Sequence, residues 1–287
     1  MTDQAATLRV IRGGNQPKTT VPVPSRSISV TGGKGGVGKS TIALNLALAY
    51  AAEGARTLMV DTDLGMADLN LLLGVAPNKT LLDALGGTPI DEVLIDAHGI
   101  SLLPALNGSY MLSTIGPAAQ RRVIEIVASL ADRFDTLVID VAAGIGQVQT
   151  TFAGATADTI VVVNPEPLSM ADAYACLKVL STEQGVRHAY IVPNRITSRA
   201  QADELTSRLG ALVARFLDLE ITTLPAIPSD PCVAEAAQIG VPLLVHAPDA
   251  PAARAIRKLT RAIAGTATHT QPTPWMRSFP LALGETR

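Results

Sequence analysis

From residue 27 to residue 265, short apolar runs rich in β-branched residues alternate with longer stretches whose apolar positions recur every three or four residues. The runs Ser27–Thr31, Arg56–Asp61, Ile100–Pro104, Asp135–Asp140, Ala157–Asn164, Arg187–Val192 and Ile221–Ile227 read as strands. Between them, Thr41–Glu53 (TIALNLALAYAAE) is apolar nearly all round, which predicts a buried helix ending at Gly54. Two short helical pieces, around LLLG and LLDALG within 71–96, are broken by Pro77 and by Gly86-Gly87. Pro117–Phe134 is amphipathic, with Ile124, Val127 and Leu130 inward and Arg121, Arg122 and Glu125 outward. The stretch Glu166–Tyr174 opens another helix, with Ser169 as its expected cap. A last helix, Asp249–Ala264, carries Ala252, Ile256, Leu259 and Ile263 on one narrow face, which suits packing on the sheet more than a membrane. Strands alternating with helices predict an α/β fold: a mostly parallel sheet with helices on both faces.

Outside residues 27–265 the pattern changes. Residues 1–12, MTDQAATLRVIR, carry Ala5, Leu8 and Ile11 at helical spacing, a helix too short to be stable alone. Residues 13–26 contain GGN, QPK and PVP, the composition of an extended linker, so the head is tethered. In the tail, 266–287, Pro274 and Pro280 interrupt any helix, while Trp275, Met276, Phe279, Leu281 and Leu283 supply apolar groups for weak membrane association.

Composition narrows the function. With 23 Lys and Arg against 25 Asp and Glu, the net charge of −2 argues against sequence-independent attraction to nucleic acid. Two distant cysteines, Cys176 and Cys232, form neither a disulfide framework nor a metal-ligand spacing. No apolar run reaches transmembrane length and no signal peptide opens the chain, so a cytoplasmic protein is expected.

The chemistry is concentrated after the first strand. Gly33, four residues, then Gly38-Lys39-Ser40 match G-x-x-x-x-G-K-[ST], flanked by the strand and helix that a phosphate loop requires. The glycines let backbone amides converge on phosphate oxygens at a helix N-terminus. Lys39 is placed to reach the β- and γ-phosphates and the Ser40 hydroxyl to ligate Mg²⁺, with Thr41 beginning the helix. Two apolar strands end in acids, Asp61 with Asp63 just beyond, and Asp140, where ligands bind in open α/β sheets. Asp140 is the expected Mg²⁺ partner through water. Asn194, after a later strand, offers both an amide donor and an acceptor at a position where asparagine ordinarily serves turn chemistry.

The loop KGGVGKS, with an additional lysine at Lys34, resembles the deviant phosphate loop of the MinD/ParA ATPases. That resemblance implies ATP and Mg²⁺ as ligands, bound by Gly33, Lys34, Gly35, Gly36, Val37, Gly38, Lys39, Ser40 and Thr41. It implies an ATP-dependent homodimer in which Lys34 reaches the partner's phosphates. The segment DTDLGMADLNLLLG resembles the switch I of the same proteins, which assigns Asp63 to the attacking water and Asp61 to the metal shell. VAAGIG after Asp140 resembles switch II, with Gly144 sensing the γ-phosphate and Val141 departing from the usual threonine or serine. Asn194 and Pro228-Ser229-Asp230 correspond to the loops that hold adenine.

Asp3-Gln4-Ala5-Ala6-Thr7-Leu8-Arg9 fits the DQAxxLR motif of the FlhG (FleN, YlxH) flagellar-number regulators. In that family the segment stimulates FlhF, a signal-recognition-particle-type GTPase. By carry-over, Gln4 is presented to the GTPase, Leu8 and Arg9 dock the helix, and Asp3 opens the motif. Flagellar switch or transcription-regulator proteins are the further partners implied, at the inner face of the cell membrane near the flagellated site. The alternative is a MinD/ParA-type positioning or DNA-partitioning ATPase with a different partner, which the low net charge and the DQAATLR head count against. An iron–sulfur reductase of the nitrogenase iron-protein kind shares the deviant loop, but here neither Cys176 nor Cys232 sits just after a switch strand.

Overall fold

The computed structural model describes residues 26–63, 69–105, 122–123, 125–127, 129–130 and 133–265. The head with Asp3, Gln4, Leu8 and Arg9, the linker, residues 64–68, the start of the 117–134 helix and the tail with Trp275 lie outside them.

β1 (Arg26–Thr31) leads through the glycine loop into α1 (Lys39–Ala52) and then β2 (Thr57–Asp61). Two short helices follow, α2 (Leu69–Leu72) and α3 (Leu81–Leu85), then a hairpin of β3 (Ile95–Ala97) and β4 (Ile100–Leu103). The second half runs β5 (Thr136–Asp140), α4 (Gln147–Gly154), β6 (Asp158–Val163), α5 (Pro167–Glu183), β7 (His188–Pro193) and α6 (Arg199–Phe216). It closes with β8 (Glu220–Thr223), α7 (Pro231–Gln238), α8 (Leu243–His246) and α9 (Pro251–Gly265). The eight strands lie in the order β3-β4-β2-β5-β1-β6-β7-β8. All pairings are parallel except the β3–β4 edge hairpin.

Side-chain alternation along each strand builds two cores. Leu58, Val60, Leu137, Ile139, Val161 and Val163 face one layer, shared with α3, α4, α5 and α6. Met59, Val138, Ile160, Val162, Ile28 and Val30 face the other, covered by α1, α8 and α9. As the apolar pattern predicts, Ala252, Ile256, Leu259 and Ile263 of α9 are all buried. α1 is buried from Ile42 to Tyr50 and stops where Gly54 takes φ +93°, a conformation that favours glycine.

A hydroxyl network crosses the first layer. Ser29 Oγ on β1 donates to the Ala153 carbonyl (2.7 Å), Thr159 Oγ1 donates to the same carbonyl (2.9 Å), and Thr156 Oγ1 bonds Ser29 Oγ (2.9 Å). These buried hydroxyls take up an end carbonyl of α4 that the helix itself cannot satisfy.

Three expectations need correction. Ser169 does not cap α5: Glu166 is the N-cap residue with Pro167 at the first helical position, and Ser169 Oγ instead accepts the Asn164 amide (3.0 Å). The last strand ends at Thr223 rather than Ile227, just ahead of Pro225, and the chain continues as a loop. Helices α4, α6, α7 and α8 and strand β3 occupy segments for which the pattern reading predicts no element.

Candidate functional site

β5 is inserted between β1 and β2 while β6 pairs on the other side of β1, so the connection from β1 to β2 runs one way along the sheet and the connection from β5 to β6 crosses β1 the other way. Such a reversal opens a crevice at the carboxyl ends of the strands, and the glycine loop sits there. Gly36 (φ +76°) and Gly38 (φ +98°) take left-handed backbone conformations. A Cβ built on Gly35 or Gly36 meets no atom within 4 Å, so these glycines border an open cradle. Gly33 differs: its Cβ would lie 2.0 Å from the Asp172 carbonyl oxygen, so the loop is pressed against α5. Gly38 provides no side-chain cap to α1, leaving the first amides of that helix for an anion. Lys39 is buried, with Nζ 3.4 Å from the Lys34 carbonyl. Ser40 and Thr41 are half-buried at the start of α1.

Lys34 is turned onto its own chain, where Nζ donates to Glu166 Oε2 at 3.0 Å. Their side chains are 38% and 53% exposed, so the pair is worth on the order of 0–1 kcal/mol.

The acids converge through register. Asp61 and Asp140 are partners in the β2–β5 pairing, so both side chains point to the α1 face of the sheet, and both are buried. Asp61 Oδ1 accepts the Asp63 amide (2.9 Å), closing a turn that sets Asp63 just above the strand end. Thr62 ties the same turn to β5, donating from its amide (3.1 Å) and its Oγ1 (2.8 Å) to the Asp140 carbonyl. Two carboxylates buried side by side are oxygen donors that a hard divalent cation would neutralise, and Ser40 at the start of α1 would add a hydroxyl. Gly144 follows β5 with φ +116°, and Val141 is a buried core residue whose amide bonds the Val30 carbonyl (3.0 Å).

On the far side, Asn194 Nδ2 donates to the Val37 carbonyl at 2.8 Å, leaving its second N–H and its carbonyl oxygen. The same nitrogen would lie 2.4 Å from a Cβ on Gly38, a second reason for glycine there. The loop after β7 and the loop carrying Pro228–Asp230 are bonded together, Ile196 amide to Ile227 carbonyl (3.1 Å) and Ser229 amide to Ile196 carbonyl (2.9 Å). The phosphate loop, both acid strands and both 190s and 220s loops thus meet at one edge of the sheet. Sequence reasoning missed Thr62, the Lys34–Glu166 pair and the side-chain role of Asp230. Only Asp230-Pro231, an N-cap residue before a first-position proline, leaves a local signal.

A phosphate loop feeding a helix, paired acids at strand ends and a parallel sheet reversing beside them define a P-loop NTPase. A sequence model of the ParA family, described as NUBPL iron-transfer P-loop NTPase, matches residues 24–264. Antiactivator FleN of Pseudomonas aeruginosa is 36% identical over 217 residues, covering 75% of this chain and 78% of that protein. Flagellum site-determining protein YlxH of Helicobacter pylori is 30% identical over 232 residues, 79% of this chain and 78% of that one. Among solved structures, the septum site-determining protein MinD of Pyrococcus horikoshii, complexed with Mg-ADP, superposes with TM-score 0.68 at 27% identity, covering 83% and 95%. The chain belongs to the ParA/MinD family of P-loop NTPases and, within it, to the FlhG/FleN group. Among the described residues no three His, Cys, Asp or Glu converge as a metal cluster, and no helix is long and apolar enough to cross a membrane.

Proposed function

We propose that this chain is a Mg²⁺-dependent ATPase that dimerises on ATP and acts as a switch on flagellar number or placement. The observation carrying the proposal is the open cradle at Gly35 and Gly36, beside buried Lys39, at the same carboxyl end of the sheet as the register-paired, buried Asp61 and Asp140. Loop amides and Lys39 bind the triphosphate; Ser40 and, through water, Asp140 hold Mg²⁺, which supplies charge neutralisation on the phosphate oxygens. Asp63, oriented by Asp61, positions the attacking water, a role that needs placement more than basicity. Gly144 offers an amide to the γ-phosphate, and Asn194 with Pro228, Ser229 and Asp230 borders the base.

Lys34 is the cross-subunit residue. Its exposed pairing with Glu166 is weak enough to be exchanged for a partner's phosphate. Ile145 (47% exposed) and Leu168 (69% exposed) provide apolar groups near the same face for a second copy to cover. Sedimentation with ATP tests this directly: the native chain should dimerise and Lys34→Ala should remain monomeric. A dimer of Lys34→Ala refutes the cross-subunit role.

The flagellar output rests on the DQAATLR head, in which Asp3, Gln4, Leu8 and Arg9 engage an SRP-type GTPase, FlhF. Its fit to the FlhG motif and the relatedness to FleN and YlxH support the reading. A peptide of residues 1–12 should raise the GTP turnover of FlhF, and Gln4→Ala should remove the effect. Absence of stimulation by the native peptide sinks the assignment.

A further inference from the structure

The Asp230 carboxylate caps two helices at once. Its Oδ1 accepts the Cys232 amide in the first turn of α7 (3.0 Å), and its Oδ2 accepts the Ala252 amide in the first turn of α9 (2.9 Å), 22 residues further on. An N-cap carboxylate usually serves one helix. Here the two oxygens fasten the start of α7 to the start of α9. Burial pushes this carboxyl upward, and the Ala252 and Cys232 amides more than offset it, holding it below the usual carboxylate range.

The opposite flank of the same loop is fixed by backbone bonds. Ser229 donates to the Ile196 carbonyl, and Asn194, two residues before Ile196, grips the phosphate loop at Val37. The loop carrying Pro228–Asp230 is therefore held from both sides, by backbone on the Asn194 side and by a single side chain on the helix side. With each oxygen engaged by a helix amide, the carboxylate's orientation is fixed by this capping.

We propose that Asp230 is a positioning residue for base recognition: by clamping α7 to α9 it fixes the backbone of residues 228–230 where the nucleotide base is read. The inference rests on the ATP-binding reading above and assigns the side chain a role distinct from contact. Its consequence is selective, because the phosphate cradle is built from other elements. Loss of the clamp weakens recognition of the base and leaves recognition of the phosphates in place.

The test is calorimetric titration of the full chain, native and variant, with Mg-ADP, Mg-GDP and Mg-pyrophosphate. Asp230→Ala should weaken ADP binding about tenfold or more, narrow the ADP-over-GDP preference, and hold pyrophosphate affinity within about twofold. Asp230→Asn keeps one carbonyl acceptor and presents an NH₂ group in place of the other oxygen. It should therefore fall between the native chain and Asp230→Ala, which keeps the test valid if the alanine variant folds poorly. Unchanged ADP affinity in both variants overturns the proposal, as does an equal loss for ADP and pyrophosphate. If the native chain binds ADP, GDP and pyrophosphate alike, the base-reading assignment itself fails, an outcome distinguishable from failure of the clamp.

Discussion

Two glycines two residues apart in the phosphate loop should respond oppositely to the same added methyl group. At Gly33 the Cβ would stand 2.0 Å from the Asp172 carbonyl oxygen and 2.4 Å from its carbon, both backbone atoms that cannot swing aside. Relief requires the loop or α5 to shift by more than about 1 Å, and overpacking of this kind costs about 1–3 kcal/mol. At about 2–4 °C per kcal/mol, Gly33→Ala should lower the Tm of the ligand-free chain by about 2–12 °C. At Gly35 a Cβ meets nothing within 4 Å, so Gly35→Ala should leave the ligand-free Tm within about 2 °C, the effect of roughly 0.5 kcal/mol. The space that methyl enters is the cradle. Ligand at a hundredfold excess over Kd stabilises a native fold by about 2.7 kcal/mol, equivalent here to a rise of about 5–11 °C. Thermal unfolding with and without Mg-ADP separates the two effects. The native chain should show the full rise and Gly35→Ala little or none. A full rise in Gly35→Ala refutes the cradle, and an unchanged ligand-free Tm in Gly33→Ala refutes the close packing of loop on helix.

Further outcomes concern hydrolysis and pH. Asp63→Ala should abolish ATP turnover while leaving the ATP-bound dimer intact in sedimentation; turnover at the native rate would remove its assigned role. Burial pushes the Asp158 carboxyl up to about 6, with Arg26 opposing, so the folded chain holds this proton more tightly than the unfolded one. That carboxylate therefore costs stability progressively as pH rises from about 4 to 6, and the full cost persists above. Since about two pKa units correspond to at most about 3 kcal/mol, Asp158→Asn should gain roughly 1–3 kcal/mol at pH 7.5 and nothing at pH 4. Urea unfolding at both values checks it, and a less stable variant at pH 7.5 would contradict the sign.

What the sequence disclosed follows from how local each signal is. The phosphate loop, α1 with its Gly54 stop and the acid-ended strands are contiguous patterns and lie where the pattern places them. α4 escaped because QVQTTFAG is eight residues long with Phe152 as its one aromatic anchor, too brief for a helical period. β3 has three residues and only partial burial, too few to alternate. α6 was legible in principle, since Leu205, Leu209 and Val213 recur at four and Ser198 caps its start by accepting the Gln201 amide. Contacts between distant segments left no trace: Lys34 meets Glu166 across 132 positions, and no pattern along the chain encodes that pairing. The correction at α5 is of the opposite kind, because Pro167, two residues before Ser169, already marks the first helical turn and moves the cap three residues back to Glu166.

The hydroxyl network under β1 fixes the two ends of α4 differently. Ser29, Thr156 and Thr159 hold its carboxyl end to the strand that carries the phosphate loop, whereas its amino end begins at Gly146 with no side-chain cap. Sliding of α4 along the sheet would break the bonds of Ser29 and Thr159 to the Ala153 carbonyl. Hydrogen exchange should register the difference as strong protection near Ala153–Ala155 and weak protection near Gln147–Gln149. Such a helix is a pin set at one end: whatever moves the phosphate-loop strand must carry the Ala153 end with it.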